Sequence, residues 1–410
     1  MDMDGRSLCI RTVAVILLSL LFQITAFAQT VDDQSATEYP PEWESALSRI
    51  PADDMDPVVT ALEQSGSNVS SLLNTLVSIP DGWLPGAIFL IKNMPIEDLT
   101  VVTEEMMTDN LRYSYEARAT YPWTAELSEE EFFHYVLPMR VSQEPLENWR
   151  PYFTENICPL LSDVTTREEA SEAALGWARS LAGFRQTQRR DQGPFETIAS
   201  GFGRCEELMI LYIDACRAAG VPARQAWTPY WTYQDNNHAW TELMNNDGEW
   251  YYLDGWINIP TKRTSFVFSV PFGLPDPDAN DLYRFRDNPG ASYAIINSIS
   301  DYRPSTQLVV RVTDMNGDPV PEASVYYSIW NFGALRPVAS GETDENGEWT
   351  ITAGPGGCFV SAGDGMSGTC TTFQLPEQDE YILELTIGLG AELPPNGFWL
   401  RFPYPSEVSQ

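Results

Sequence analysis

Basic residues are scarce in this chain of 410 residues, with 24 Lys and Arg against 58 Asp and Glu, a formal charge of −34. That balance excludes nucleic acid and anionic membranes as partners, because both are held by basic surface. It gives instead an acidic, solvated shell. Histidine is scarcer still, with only His134 and His238. The six cysteines include no CxxC pair, the sequence holds no EF-hand loop, and no metal or other cofactor is expected. After Phe22 no apolar run is long enough to cross a bilayer. What the chain does hold is 43% hydrophobic residues, with 13 Trp, 18 Tyr and 18 Phe. Such a composition folds, and at this length it fills two or three domains.

The first 28 residues read as a secretory signal. Arg6 and Arg11 precede the apolar run from Val13 to Phe22, and Ala26-Phe27-Ala28 offers a cleavage site before Gln29. The expected product is exported, either secreted or periplasmic, and free of the membrane once the signal is removed. Cys9 would leave with the signal. Cys158, Cys205, Cys216, Cys358 and Cys370 remain, an odd number for an oxidising compartment. Two pairs would leave one thiol free, and Cys358 with Cys370 is the candidate pair within one late β-segment.

The pattern predicts an α+β protein. Residues 29–160 form a helical N-terminal region, polar up to residue 40 and then carrying apolar stretches such as Leu72, Leu73, Leu76 and Val77. Ser128 and Glu131 have the spacing of a capping box, and His134, in the helix that follows, reads as structural. Residues 161–300 carry the chemistry, beginning with a helix from Thr166 to Phe184 and a basic loop from Arg185 to Arg190. From 305 to 390 short alternating segments are separated by turns at Asn316-Gly317, Asn346-Gly347 and Gly354 to Gly357, as in a small β-sandwich. Residues 391–410 form a tail.

Cys205 opens a helix with Glu206 and Glu207 in its first turn, an apolar stripe through Leu208, Leu211, Tyr212 and Ala215, and Gly220 at its end. A thiol at a helix N-terminus is stabilised as thiolate, and Gly201 and Gly203 free backbone amides for an oxyanion. Cys216, deeper in the helix, reads as packed. Beyond Pro222, a strand, a loop rich in aromatic residues and Asn, and a hairpin follow. With the hairpin loop centred on Asn246, His238 faces Asp254 across the two strands, imidazole beside carboxylate. A thiol nucleophile needs a base, and the base needs an orienting partner, so these three residues form a candidate catalytic set.

The stretches Gly203-Arg204-Cys205-Glu206-Glu207, Gly220-Val221-Pro222-Ala223-Arg224-Gln225 and Asn237-His238-Ala239-Trp240-Thr241-Glu242 resemble the transglutaminase-like superfamily, with its papain-type Cys-His-Asp triad. The phrases Phe89-Leu90-Ile91, Asn93-Met94-Pro95, Tyr121-Pro122-Trp123 and Tyr135-Val136-Leu137-Pro138 are similar to the helical leader of exported bacterial members. By that resemblance Cys205 is the nucleophile, His238 the base and Asp254 the orienter. Gln186, nineteen residues before Cys205, is the oxyanion candidate, with Gln192 second. The missing CxxC pairs separate this chain from the peptide:N-glycanase branch. The segments from Val312 to Ala323 and from Thr343 to Trp349 resemble carboxypeptidase regulatory-like domains, which implies a binding or spacer module.

The expected function is a cysteine enzyme acting on amide bonds of a protein or peptide substrate. Trp227, Tyr230, Trp231, Trp240 and Trp256 are candidates to line its cleft. Water as acceptor gives a peptidase or amidase, and an amine gives crosslinking. A scaffold without catalysis is the competing class. The sequence leaves oligomeric state open.

Overall fold

The computed structural model describes residues 39–186, 191–232, 234–253, 266, 268–270 and 295–388. The expected signal segment at residues 1–28, the basic residues Arg189 and Arg190, Asp254, Trp256 and the tail after residue 390 lie outside the described residues. The chain divides into two compact units at Arg49–Ile50. Of the first, the described part is a turn at Pro41–Trp43 and a short helix Glu44–Leu47, with Tyr39 stacked on Trp43.

The second unit opens with helices. They include α1 (Ala52–Gln64), α2 (Val69–Ser78), α3 (Leu84–Asn93), α4 (Glu104–Thr120), α5 (Glu129–Tyr135), α6 (Arg150–Ile157) and α7 (Arg167–Leu181). Their starts are chemically specified. Thr103 caps α4, and Ser128–Glu131 and Thr166–Glu169 form full capping boxes at α5 and α7. His134 is buried with its ring edge-on to Phe89 at 5.0 Å, a packing role. The α7 helix stops at Leu181 rather than reaching Phe184. Gly183 and Phe184 instead form β1, paired in parallel with β2 (Phe202–Gly203), because the Gly183 N–H finds a partner in the Gly201 carbonyl at 3.0 Å.

Between β1 and β2 lies α8 (Pro194–Ser200), and β2 leads into α9 (Cys205–Ala218). All eleven residues from Leu208 to Ala218 are buried, so α9 is the central helix, enclosed all round after its first turn. Its core holds Trp149, the residue just before α6, with Phe153 and Ile157 from α6 and Ala174, Leu175 and Ala178 from α7. Two buried arginines rivet the same region. Arg150 donates to the carbonyls of Val136 (2.8 Å) and Arg217 (3.1 Å), and Arg217 donates to that of Arg140 (2.9 Å). Helix α6 and the segment before it therefore share one core with the helix that carries the thiol.

Gly220, at φ +72°, ends α9 and turns the chain into β3 (Ala223–Thr228). With β4 (His238–Met244), β5 (Trp250–Leu253), β6 (Phe268–Val270) and β7 (Ile296–Asn297) it forms an antiparallel sheet in the order β5-β4-β3-β6-β7. Ala223, Ala239 and Leu243 face α9, whereas Ala226 and Trp240 face a second layer with Trp231 and Ile299.

The β4–β5 register corrects the expected one. Thr241 faces Leu253 and Met244 faces Trp250, so the pairing is displaced by two residues from the one that sets His238 opposite Asp254. The cause is the turn. Asn245 and Glu249 close a three-residue loop, with the Asn245 N–H donating to the Glu249 carbonyl at 2.9 Å and Gly248 left-handed at φ +81°. That loop is centred on Asp247 rather than Asn246. A two-residue displacement keeps every side chain on its expected face.

The C-terminal strands are β8 (Thr306–Thr313), β9 (Ser324–Asn331), β10 (Ala334–Glu342), β11 (Glu348–Ala353), β12 (Gly356–Gly363), β13 (Gly368–Leu375) and β14 (Glu380–Thr386). They build a four-stranded sheet, β10-β9-β12-β13, and a three-stranded one, β11-β8-β14. Both contribute to one core, with Val310, Val312 and Leu385 against Val325, Tyr327 and Val360. Cys358 and Cys370 are free and do not form the expected pair. Cys358 faces Phe373 and Cys370 faces Ser361, three positions apart on adjacent strands, so the pleat points the two thiols to opposite sides of the sheet.

Candidate active site

Cys205 is the first residue of α9, half-buried and free. Its setting is made by the residues around it. The Glu207 carboxylate folds back over the helix start and accepts the Arg204 N–H at 2.5 Å. The Arg204 guanidinium lies on the same carboxylate at 2.8 Å and reaches Asp191 at 2.5 Å. Gly203 is required by this arrangement, since a Cβ there would stand 2.7 Å from that of Glu207. The two first-turn acids thus do more than complement the helix dipole. An Arg-x-x-Glu spacing across the helix start was the available signal for the cap.

Glu206 points inward. Its Oε1 accepts from Ser142 Oγ at 2.7 Å and from Gln225 Nε2 at 3.0 Å, joining the segment before α6, the helix start and β3. Burial, and then the nearby Asp191 charge, push its carboxyl up to about 7. Asp191 is itself raised by burial, against the pull of Arg204.

Helix α9 runs antiparallel to β3. Arg217 near its end donates to the Ala223 carbonyl at 3.1 Å, while Glu206 at its start meets Gln225. The tight connection at Gly220 leaves the helix start at the Thr228 end of the strand. Thr228 pairs with His238, so Cys205 and His238 belong to the same end of the sheet. The His238 ring lies 5.7 Å from that of Trp240 and 6.1 Å from that of Trp231. Asp254 lies outside the described residues.

Gln186 is exposed, just past β1. The parallel register pairs Gly183 with Phe202 and Phe184 with Gly203, an offset of nineteen that also separates Gln186 from Cys205. Gln192 is buried, accepting from Ser200 Oγ at 3.3 Å and donating to the Phe202 carbonyl at 3.4 Å, which occupies it in structure.

The aromatic candidates divide. Trp231 and Trp240 are core residues, 3% and 2% exposed, and the Trp240 indole donates to Tyr302 Oη at 2.8 Å. They back the imidazole and do not line an open cleft, because the layer formed with Ile299 and Tyr302 covers them. Trp227 and Tyr230 are half-buried and pack against the C-terminal core. Trp256 lies outside the described residues. Among the described residues no group of three His, Cys, Asp or Glu side chains is placed to hold a metal ion, and no helix is long and apolar enough to cross a membrane.

Residues 158–255 match the sequence profile of the transglutaminase-like superfamily. This segment is a transglutaminase-like domain. The match spans Cys205, His238 and Asp254 and begins within the helical region. Two solved structures are similar to the chain. A protein of Cytophaga hutchinsonii, assigned provisionally as a cysteine protease, is 14% identical, with a TM-score of 0.27 over 63% of this chain and 60% of that one. A protein of Parabacteroides distasonis, assigned provisionally as a protease, is 12% identical, with a TM-score of 0.26 over 53% of this chain and 36% of that one. The chain thus spans less than two thirds of either. No curated protein matches it.

Proposed function

We propose that the transglutaminase-like domain is a cysteine peptidase or amidase of an exported protein. The observation that carries this reading is the placement of Cys205 as the first residue of a central helix, at the end of the sheet where His238 begins its strand. In the proposed reaction the Cys205 thiolate adds to an amide carbonyl carbon. The C–N bond then breaks as the His238 imidazolium gives its proton to the departing amine. The acyl group stays on sulfur as a thioester. Water, losing a proton to His238, adds to that carbonyl and releases the acid and the thiolate. Asp254 would hold the imidazole tautomer, and Gln186 is the oxyanion donor favoured by its offset from Cys205. The β-strands after residue 305 would serve as a module similar to carboxypeptidase regulatory-like domains.

The test is incubation with a peptide library, followed by mass spectrometry of the Cys205 peptide. A thioester adduct that is absent from Cys205→Ser and decays in water to a free acid is the expected result. Decay only in the presence of an added primary amine would make the enzyme a crosslinking transglutaminase. No adduct under any condition would leave a scaffold and end the enzyme reading.

A further inference from the structure

The tip of the β9–β10 hairpin reaches out of the C-terminal sandwich to the loop that leads into His238. Asn331 pairs with Ala334 across the ladder, leaving a two-residue turn, Phe332-Gly333, with both residues left-handed at φ +48° and +72°. Such a turn prefers Asn-Gly, and an aromatic residue at its first position is strained. Strain of this kind persists where the surroundings fix it. Here they do. Asn331, with no exposed surface, donates through Nδ2 to the Trp231 carbonyl at 2.9 Å and to the Gln234 carbonyl at 2.7 Å. The Phe332 N–H donates to Asp235 Oδ1 at 2.7 Å. The loop is closed on itself by the Trp231 N–H, which donates to the Asn236 carbonyl at 2.9 Å. His238 follows two residues later. On the near side of the loop, Trp227 and Tyr230 pack on the sandwich core.

We infer that Asn331 is a positioning residue for His238, so that the C-terminal sandwich forms part of the active site and is more than a spacer. The stretch Gln234-Asp235-Asn236-Asn237 that leads into β4 is polar and exposed, and by itself has little reason to hold one shape. Two carbonyls bound by one buried amide, with a third bond from the adjoining N–H, fix the point from which β4 departs. They therefore fix where the imidazole ring stands. The inference rests on the proposed role of His238 as the partner of Cys205.

The experiment uses the full chain and measures iodoacetamide alkylation of the Cys205 peptide against pH by mass spectrometry, at a temperature where every variant is folded. Site resolution is needed because Cys158 is exposed and Cys370 is half-buried like Cys205. With His238 as the proposed partner of Cys205, His238→Ala raises the midpoint of the alkylation profile. Asn331→Leu, and Asn331→Asp, which keeps size and loses both donated bonds, should each move the midpoint the same way and slow alkylation at pH 7 about three- to tenfold. Leu385→Ala, in the sandwich core away from the hairpin, should lower the melting temperature and leave the midpoint in place. The positioning role is overturned if both Asn331 variants keep the wild-type midpoint while His238→Ala shifts it. It is overturned equally if Leu385→Ala shifts the midpoint as far as they do. A midpoint unmoved in His238→Ala overturns the enzyme reading and this inference together.

Discussion

Gln225 Nε2 donates to Glu206 Oε1 at 3.0 Å, tying the first turn of the central helix to the strand beneath it. The carboxyl receiving that bond titrates near neutrality. Its ordinary value of 4.5 is pushed up to about 7, first by burial. Between those two values the folded chain holds a proton that the unfolded chain has released, so stability falls as pH rises through the window. The penalty is absent below the lower value and complete above the upper one, on the order of 3 kcal/mol. Glu206→Gln keeps the accepting oxygen and removes the charge. Its melting temperature should exceed that of the wild type at pH 8, with the difference vanishing near pH 4. Equal pH profiles for the two proteins would refute the assignment.

Arg140 and Asp98 form a buried ion pair, 5% and 2% exposed, with Arg140 Nε donating to Asp98 Oδ2 at 2.6 Å. Arg140→Met strands a carboxylate in the interior and should cost about 3–5 kcal/mol in denaturant unfolding. Adding Asp98→Leu should restore much of that loss. A double variant no more stable than Arg140→Met would show that the pair is not coupled.

Gly220 is irreplaceable for two reasons at once. Its φ of +72° favours glycine, and a Cβ there would stand 2.1 Å from Thr124 Oγ1. Gly220→Ala should therefore destabilise by about 2–4 kcal/mol. Thr124→Ala in the same chain should recover the steric share and leave the backbone share of about 1 kcal/mol. Urea unfolding of the single and double variants measures both.

Cysteine chemistry gives a fourth expectation. Burial pushes the Cys358 thiol up to about 12 and raises that of Cys216 as well. Peptide mapping without reductant should find no Cys358–Cys370 disulfide. Native thiol titration should count Cys158 and Cys205 early and Cys216 and Cys358 only after unfolding. A Cys358–Cys370 crosslinked peptide would mean that the β12–β13 register is wrong.

Local chemistry was legible in the chain. Capping residues fixed the starts of α5 and α7, Gly220 fixed the end of the central helix, and Asn-Gly turns marked the C-terminal strands, because each depends on residues within one turn of each other. The positions of Cys205 and His238 at the starts of their elements were readable for the same reason. The β4–β5 register was not, since whether a turn spans two, three or four residues is settled by one left-handed glycine, Gly248.

Tertiary structure alone decided the remainder. Whether Trp231 and Trp240 face a cleft or a core depends on the arrival of Ile299 and Tyr302, some sixty residues later. The hold of Asn331 on the loop before His238 joins positions a hundred apart, and nothing in either segment announces the other. Pattern along a chain records how a residue meets its neighbours in sequence. Which distant surface covers it is set only when the packed layers choose one another.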